Sequence, residues 1–160
     1  MQYPASMKRI VNSLFAAGML AGIVLAAGVA TAFAAPPPGN AALRPAEWNA
    51  IQQVIGDQVK ALKAGDGTKA ISYSAPGIRQ QFRTPEGFLR MVRANYRALL
   101  DARYSTFLDG AEVDGITIQP LQLVLPDNTV VVALYTMVKQ KEGDWRIAGC
   151  VIAPSTVQAT

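Results

Sequence analysis

Between Pro45 and Leu62 apolar residues recur at steps of three and four: Trp48, Ile51, Ile55, Val59 and Leu62 fall on one side of a helix. Gly65-Asp66-Gly67 ends that pattern, and Asp66 or Thr68 supplies a cap for a second, short helix carrying Ala70, Ile71 and Tyr73. Pro76-Gly77 interrupts it, with one more turn predicted over Ile78 to Phe82. Thr84-Pro85-Glu86 then combines a capping hydroxyl, a proline at the first helical position and an acid at the positive helix end. The helix it opens is predicted to reach about Leu99, with Phe88, Val92, Tyr96 and Leu99 on one face and Leu89 and Met91 flanking them.

After Asp101 the period changes to two. Tyr104 to Leu108, Ile116 to Leu125, Thr129 to Lys139 and Asp144 to Ile152 read as four strands. Pro126-Asp127-Asn128 and Glu142-Gly143 are tight-turn sequences, so the last three strands form an antiparallel meander. Pro120 calls for a bulge or an edge position. Helices followed by a meander predict an α+β domain, with N-terminal helices packed on one face of a curled antiparallel sheet. Along the third strand Val130, Val132 and Leu134 point one way, while Val131, Ala133, Tyr135 and Met137 point the other. Only one side can meet helices, so the second is expected to line a pocket or to meet another subunit, with Met137 as the residue to test that contact.

The N-terminal segment changes what counts as fold. Met7-Lys8-Arg9, the apolar run Leu14 to Val29, and Ala32-Phe33-Ala34 have the layout of a secretory signal. The expected organisation is a signal peptide over 1–34, a Pro-rich linker over 35–45, one α+β domain over 46–153 and a disordered tail over 154–160. The expected location is outside the cytoplasm, periplasmic or secreted. The alternative is an inner-membrane anchor formed by residues 10–34, the one case that involves a membrane. The start lies at Met1 or at Met7.

Without the leader, 13 basic residues face 11 acidic ones, too mild a balance to argue for nucleic acid. The chain has no histidine and one cysteine, Cys150. That excludes His-based triads, His-ligated metal and an intramolecular disulfide, and nothing in the sequence calls for a cofactor or a metal.

One set of residues has a familiar arrangement: Ser74-Ala75-Pro76-Gly77-Ile78-Arg79, Phe82, Thr84-Pro85-Glu86, Phe88, Met91-Val92 and Tyr96. Towards the C-terminus, Ala133-Leu134-Tyr135-Thr136-Met137, Gly143-Asp144-Trp145-Arg146-Ile147 and Gly149-Cys150 complete it. Together they resemble an uncharacterised bacterial family catalogued as domain of unknown function 4864, over most of residues 48 to 152. The resemblance implies a short exported protein with a cone-shaped fold similar to nuclear transport factor 2 and ketosteroid isomerase. It brings no assigned activity and no catalytic residues.

Candidate chemistry is sparse. Arg90, Arg93 and Arg97 share a helix face opposite Phe88 and Val92, and with Arg79, Arg83 and Arg103 form a basic cluster suited to an anion or an acidic partner. A solvated helix face is the plainer account of them. Cys150 could serve as a nucleophile or in an intermolecular disulfide, but no histidine is present to activate it, and a buried inert thiol is the plainer role. Tyr73, Tyr96, Tyr135 and Trp145 are the candidate ligand-binding residues inside the cone, with Tyr104 a further hydroxyl; core packing is the plainer role for all of them. An isomerase-type pocket needs a carboxylate beside a tyrosine, and Asp101, Asp109, Glu112 and Asp114 are the carboxylates between the third helix and the second strand, the last two reading as turn chemistry. The expected function is a non-catalytic module that binds a small apolar ligand or a protein partner, a homodimer through the outer sheet face. The alternative is an isomerase, dehydratase or hydrolase using a Tyr/Asp pocket.

Overall fold

The computed structural model describes residues 43–155. The leader, its cleavage site and most of the linker lie outside the described residues, as does 156–160. Helix α1 (Pro45–Lys63) buries Ile51, Ile55, Val59 and Leu62, the face that the periodicity marks, together with Gln58. It stops where Gly65 turns left-handed (φ 73°). The Asp66 amide then donates to the Ala61 carbonyl at 2.9 Å and the Gly65 amide to that of Leu62 at 3.0 Å, which satisfies the last turn. Asp66 caps α2 (Gly67–Ser72), its Oδ1 accepting from the Lys69 amide at 2.9 Å. A Cβ on Gly67 would stand 2.7 Å from the Pro85 carbonyl oxygen, so this glycine lets α2 lie against the next helix pair.

The proline at 76 opens a helix of its own, α3 (Pro76–Gln81), rather than interrupting α2. Residues 73 to 75 leave α2 to bond to a strand instead: Ala75 donates to the Ile147 carbonyl at 2.8 Å, and Ile147 donates to that of Tyr73 at 3.0 Å. Thr84 caps α4 (Pro85–Asn95) through Oγ1, which accepts from the Gly87 amide at 3.1 Å. The predicted single helix to Leu99 is broken at Tyr96 (φ −128°, ψ 35°), and α5 (Arg97–Asp101) restarts beyond it. Two competing bonds accompany the break. The Asn95 side-chain Nδ2 donates back to the Met91 carbonyl at 3.0 Å, and the Tyr96 hydroxyl donates across to the Cys150 carbonyl at 3.1 Å.

The sheet has five antiparallel strands, one more than the sequence reading: β1 (Tyr104–Phe107), β2 (Ala111–Val113), β3 (Ile116–Val124), β4 (Val130–Lys139) and β5 (Trp145–Pro154). The order is β1-β3-β4-β5, and β2 shares the β1 side of β3. The extra strand places Glu112 opposite Thr117 rather than in a turn. The turn is Asp114-Gly115, both at positive φ (52° and 77°), the geometry of a two-residue hairpin. β5 runs two residues past Ile152 because Pro154 still pairs with Val131.

Pro120 is not on an edge, and it stands opposite a bulge: residues 108–110 join β1 to β2 where β3 has only Gln119 and Pro120 between the paired positions. β3 is flanked on both sides, and its register with β4 is continuous through Pro120 opposite Leu134. Its carbonyl accepts from the Leu108 amide at 3.1 Å, in the gap between β1 and β2. The missing N–H faces the Leu108 carbonyl, the ladder acceptor it would have used. The Gln119 side chain closes the same gap, its Nε2 donating to the Leu108 carbonyl at 2.7 Å and the Pro120 carbonyl at 3.0 Å.

On the helix side of the sheet Leu121, Leu123, Ala133, Tyr135, Met137 and Ile147 join the helix residues in one core. Met137, expected in a subunit contact, is 4% exposed there, so the outer face belongs to Val132 and Leu134 instead. That outer face is exposed in part: Val151 is 56% exposed and Tyr104 69%, whereas Val130 is buried.

Candidate functional site: a cleft between the helices and the sheet

The core is not filled to its end. Between α3, α4 and the start of α5 on one side and the β4–β5 pair on the other lies a cleft of about 370 Å³. Its walls are apolar. Ile78 and Phe82 come from α3 and its cap, and Phe88, Met91 and Val92 from one face of α4. Phe82 and Phe88 meet edge to face with centroids 5.2 Å apart, an arrangement that fixes both rings. The α4 residues share this wall because 88, 91 and 92 lie within one helical turn of each other.

Polar groups gather at a few points. Gln58 of α1 lines the cleft, its Nε2 donating to the Ala70 carbonyl at 3.2 Å and to Ser74 Oγ at 3.3 Å. Tyr96 lines it too, its hydroxyl committed to the Cys150 carbonyl. Tyr135 and Cys150 are directly opposed on β4 and β5 and both border the cleft. Tyr135 is 0% exposed, and among the described residues its hydroxyl has no hydrogen-bond partner. The Cys150 thiol lies beside it but is a weak donor and a weak acceptor. Burial raises the Tyr135 phenol well above its ordinary range and pushes the Cys150 thiol up to about 12. Both therefore keep their protons at neutral pH, and Cys150 has no thiolate to act as a nucleophile.

The four candidate aromatics separate. Tyr96 and Tyr135 come together at the cleft, while Tyr73 and Trp145 are not among its lining residues. Trp145 is packed into the core with the Lys139 ammonium 5.9 Å from its ring centre, and Tyr73 is half-buried against the core. Tyr104 stands on the outer face beside the Arg103 guanidinium. Arg90, Arg93 and Arg97 are exposed, and Arg97 is paired with Asp101 at 2.9 Å. None of the three lines the cleft. Nor does any carboxylate: Asp101 is engaged with Arg97, the Glu112 carboxylate accepts from the Leu43 amide at 3.3 Å, and Asp114 holds the hairpin turn. The Tyr/Asp pairing of an isomerase-type pocket is not formed by these residues.

Gln58 and Ser74 escaped the sequence reading. Gln58 carries a signal, since it is a polar residue in phase with Ile51, Ile55 and Leu62 on a buried helix face. Ser74 carries none, because only the bridge to Ile147 draws it inward. Among the described residues no three Cys, Asp or Glu side chains cluster as metal ligands, and no helix is long and apolar enough to cross a membrane.

Among curated proteins none matches this chain. A family profile does, over residues 45–160, and it spans every element that builds the cleft. The chain therefore belongs to the family described as a domain of unknown function, DUF4864.

Proposed function

We propose that this domain is a binding module that takes a small, largely apolar molecule into the cleft between its helices and its sheet. The observation that carries the reading is the cleft itself: about 370 Å³, walled by Phe82, Phe88, Met91 and Val92, and bordered by a buried tyrosine hydroxyl without a partner. That volume falls in the range of about 300–1,000 Å³ typical of small-molecule sites. A buried donor left unpaired costs about 1–3 kcal/mol, and such groups in native proteins call for an explanation. A binding role needs no carboxylate, nucleophile or metal, and the lining offers none of the first two in reactive form.

The test uses a neutral fluorescent hydrocarbon-like probe, N-phenyl-1-naphthylamine. Its emission is expected to rise and saturate at one probe per chain, and Met91→Trp, which fills the cleft from α4, is expected to abolish the rise. Saturation that survives Met91→Trp would overturn the assignment.

The partly exposed outer face supports pairing of two copies of the chain. Its residues on β3 and β4, including Ile118, Val124, Val132 and Leu134, are uncharged, and its charges, Arg146 on β5 and Arg103 beside Tyr104 on β1, lie at its margins, so two copies can meet without burying like charges. Val151→Arg is then expected to shift the sedimentation profile from dimer to monomer, and a monomeric parent protein would end this reading. The helix-first order and the strongly paired three-stranded meander favour a cone of the nuclear-transport-factor-2 kind. Export is the reading that residues 7–34 favour, and N-terminal sequencing that begins at Ala35 would support it.

A further inference from the structure

The cleft's polar end is more specific than its walls. Tyr135 lies in the middle strand of the meander, with Gln119 opposite it on β3 and Cys150 opposite it on β5. The polar groups on the facing strands and the cleft wall have partners of their own. Gln119 Oε1 accepts from Gln52 Nε2 at 3.4 Å, while its amide nitrogen is spent on the Leu108 and Pro120 carbonyls. The Cys150 carbonyl accepts from the Tyr96 hydroxyl at 3.1 Å. Ser74 Oγ accepts from Gln58. What remains beside the Tyr135 hydroxyl is the sulfur of Cys150, a poor acceptor.

We propose that the cleft selects molecules carrying a neutral oxygen acceptor of the ketone or ester kind, with the Tyr135 hydroxyl as its hydrogen-bond donor, over hydrocarbons and over carboxylates of the same shape. This rests on the binding reading above and adds the class of ligand. A hydrocarbon of the right shape would leave Tyr135 unpaired. A carboxylate would enter a lining that, among the described residues, holds no lysine or arginine, so its charge would lose its water without gaining a counter-ion. A carbonyl oxygen has neither defect. It brings no charge, and it accepts from the phenol while the protonated thiol of Cys150 stands beside it as a second, weaker donor. Selection by a single buried donor is a matter of which partner group is left unpaired, so one atom's difference in the ligand is enough to be read.

The experiment uses three probes of one shape on the purified protein: benzophenone, diphenylmethane and diphenylacetate. Benzophenone is expected to bind roughly tenfold more tightly than diphenylmethane, the scale of one buried hydrogen bond. Diphenylacetate is expected to bind more weakly than either. Tyr135→Phe is expected to bring benzophenone down to the affinity of diphenylmethane while leaving diphenylmethane unchanged. The carbonyl stretch of benzophenone bound to the unsubstituted protein is expected to fall below its value in hexane, a readout that does not depend on the variant folding. Equal affinities of the ketone and the hydrocarbon, an unshifted stretch, or a preference that survives Tyr135→Phe would overturn the selection while the binding reading stood. Tightest binding by diphenylacetate would overturn the neutrality of the ligand. Failure of all three probes would overturn the binding reading with it.

Discussion

The two faces of β4 are both apolar, yet they have opposite surroundings. Ala133, Tyr135 and Met137 are closed off by helices, whereas Val132 and Leu134, one residue out of phase, stay half-buried on the other side. The inner face is also the less uniform: it contains a buried hydroxyl, a thiol and an unfilled cleft. The outer face is an even sheet of mostly β-branched residues. Apolar composition alone therefore does not identify a binding site. Polar atoms placed where water cannot reach them do so, because each must find a partner or cost stability.

The sharpest contrast is expected from truncating one residue on each side of the sheet. Leu123→Ala, on the helix side and 0% exposed, should lose about 2–5 kcal/mol in urea unfolding. Val151→Ala, 56% exposed on the outer side, should stay within about 0.5 kcal/mol at low protein concentration. A larger, concentration-dependent loss at Val151 would mean that the outer face is covered in solution, and would sharpen the comparison towards pairing.

Alkaline titration probes the inner face next. Burial raises the Cys150 thiol from an ordinary value of 9.0 to about 12, so the folded state holds its proton after the unfolded chain has released it. Its contribution is fully present below pH 9 and is lost as pH rises from there towards 12; Tyr135, raised in the same direction, adds to the fall. A decline on the order of 2 kcal/mol is expected in that window, allowing for incomplete burial. Urea midpoints of Cys150→Ala should decline less steeply. An identical slope would place the thiol in contact with water.

The smallest effect separates two tyrosines of the same cleft. Tyr96→Phe removes a formed hydrogen bond to the Cys150 carbonyl and should cost about 1 kcal/mol. Tyr135→Phe removes a hydroxyl that has no partner and should be neutral or slightly stabilising in the ligand-free protein. If Tyr135→Phe costs as much as Tyr96→Phe, the hydroxyl is paired in solution and the cleft loses its distinguishing group.

Most of the secondary structure could be read along the chain because local signals carried it. Ile51, Ile55, Val59 and Leu62 stand in helical phase, Asp66 and Thr84 cap helices with their own side chains, and the β-branched run of β4 alternates as strands do. The errors fell where a distant group competed with a local one. Tyr96 leaves its helix with a bond to β5, Pro76 opens a helix once residues 73 to 75 latch onto Ile147, and β2 forms because Asp114-Gly115 turns it back onto β3. That last signal, an Asp-Gly pair between apolar residues, was present in the sequence.

The sequence by itself determined the α+β class, the order of helices before strands and the family. The first two follow from periodicity, turn residues and local capping, all of which act between neighbours along the chain; the family follows from the profile match over residues 45–160. Only the tertiary structure decided which side of β4 meets the helices, that Tyr96 and Tyr135 share a cleft from which Tyr73 and Trp145 are absent, and that no carboxylate joins them. Pairing two residues 54 apart, as Tyr96 and Cys150 are, depends on strand register and on where a helix breaks, and a single strand's alternation carries neither.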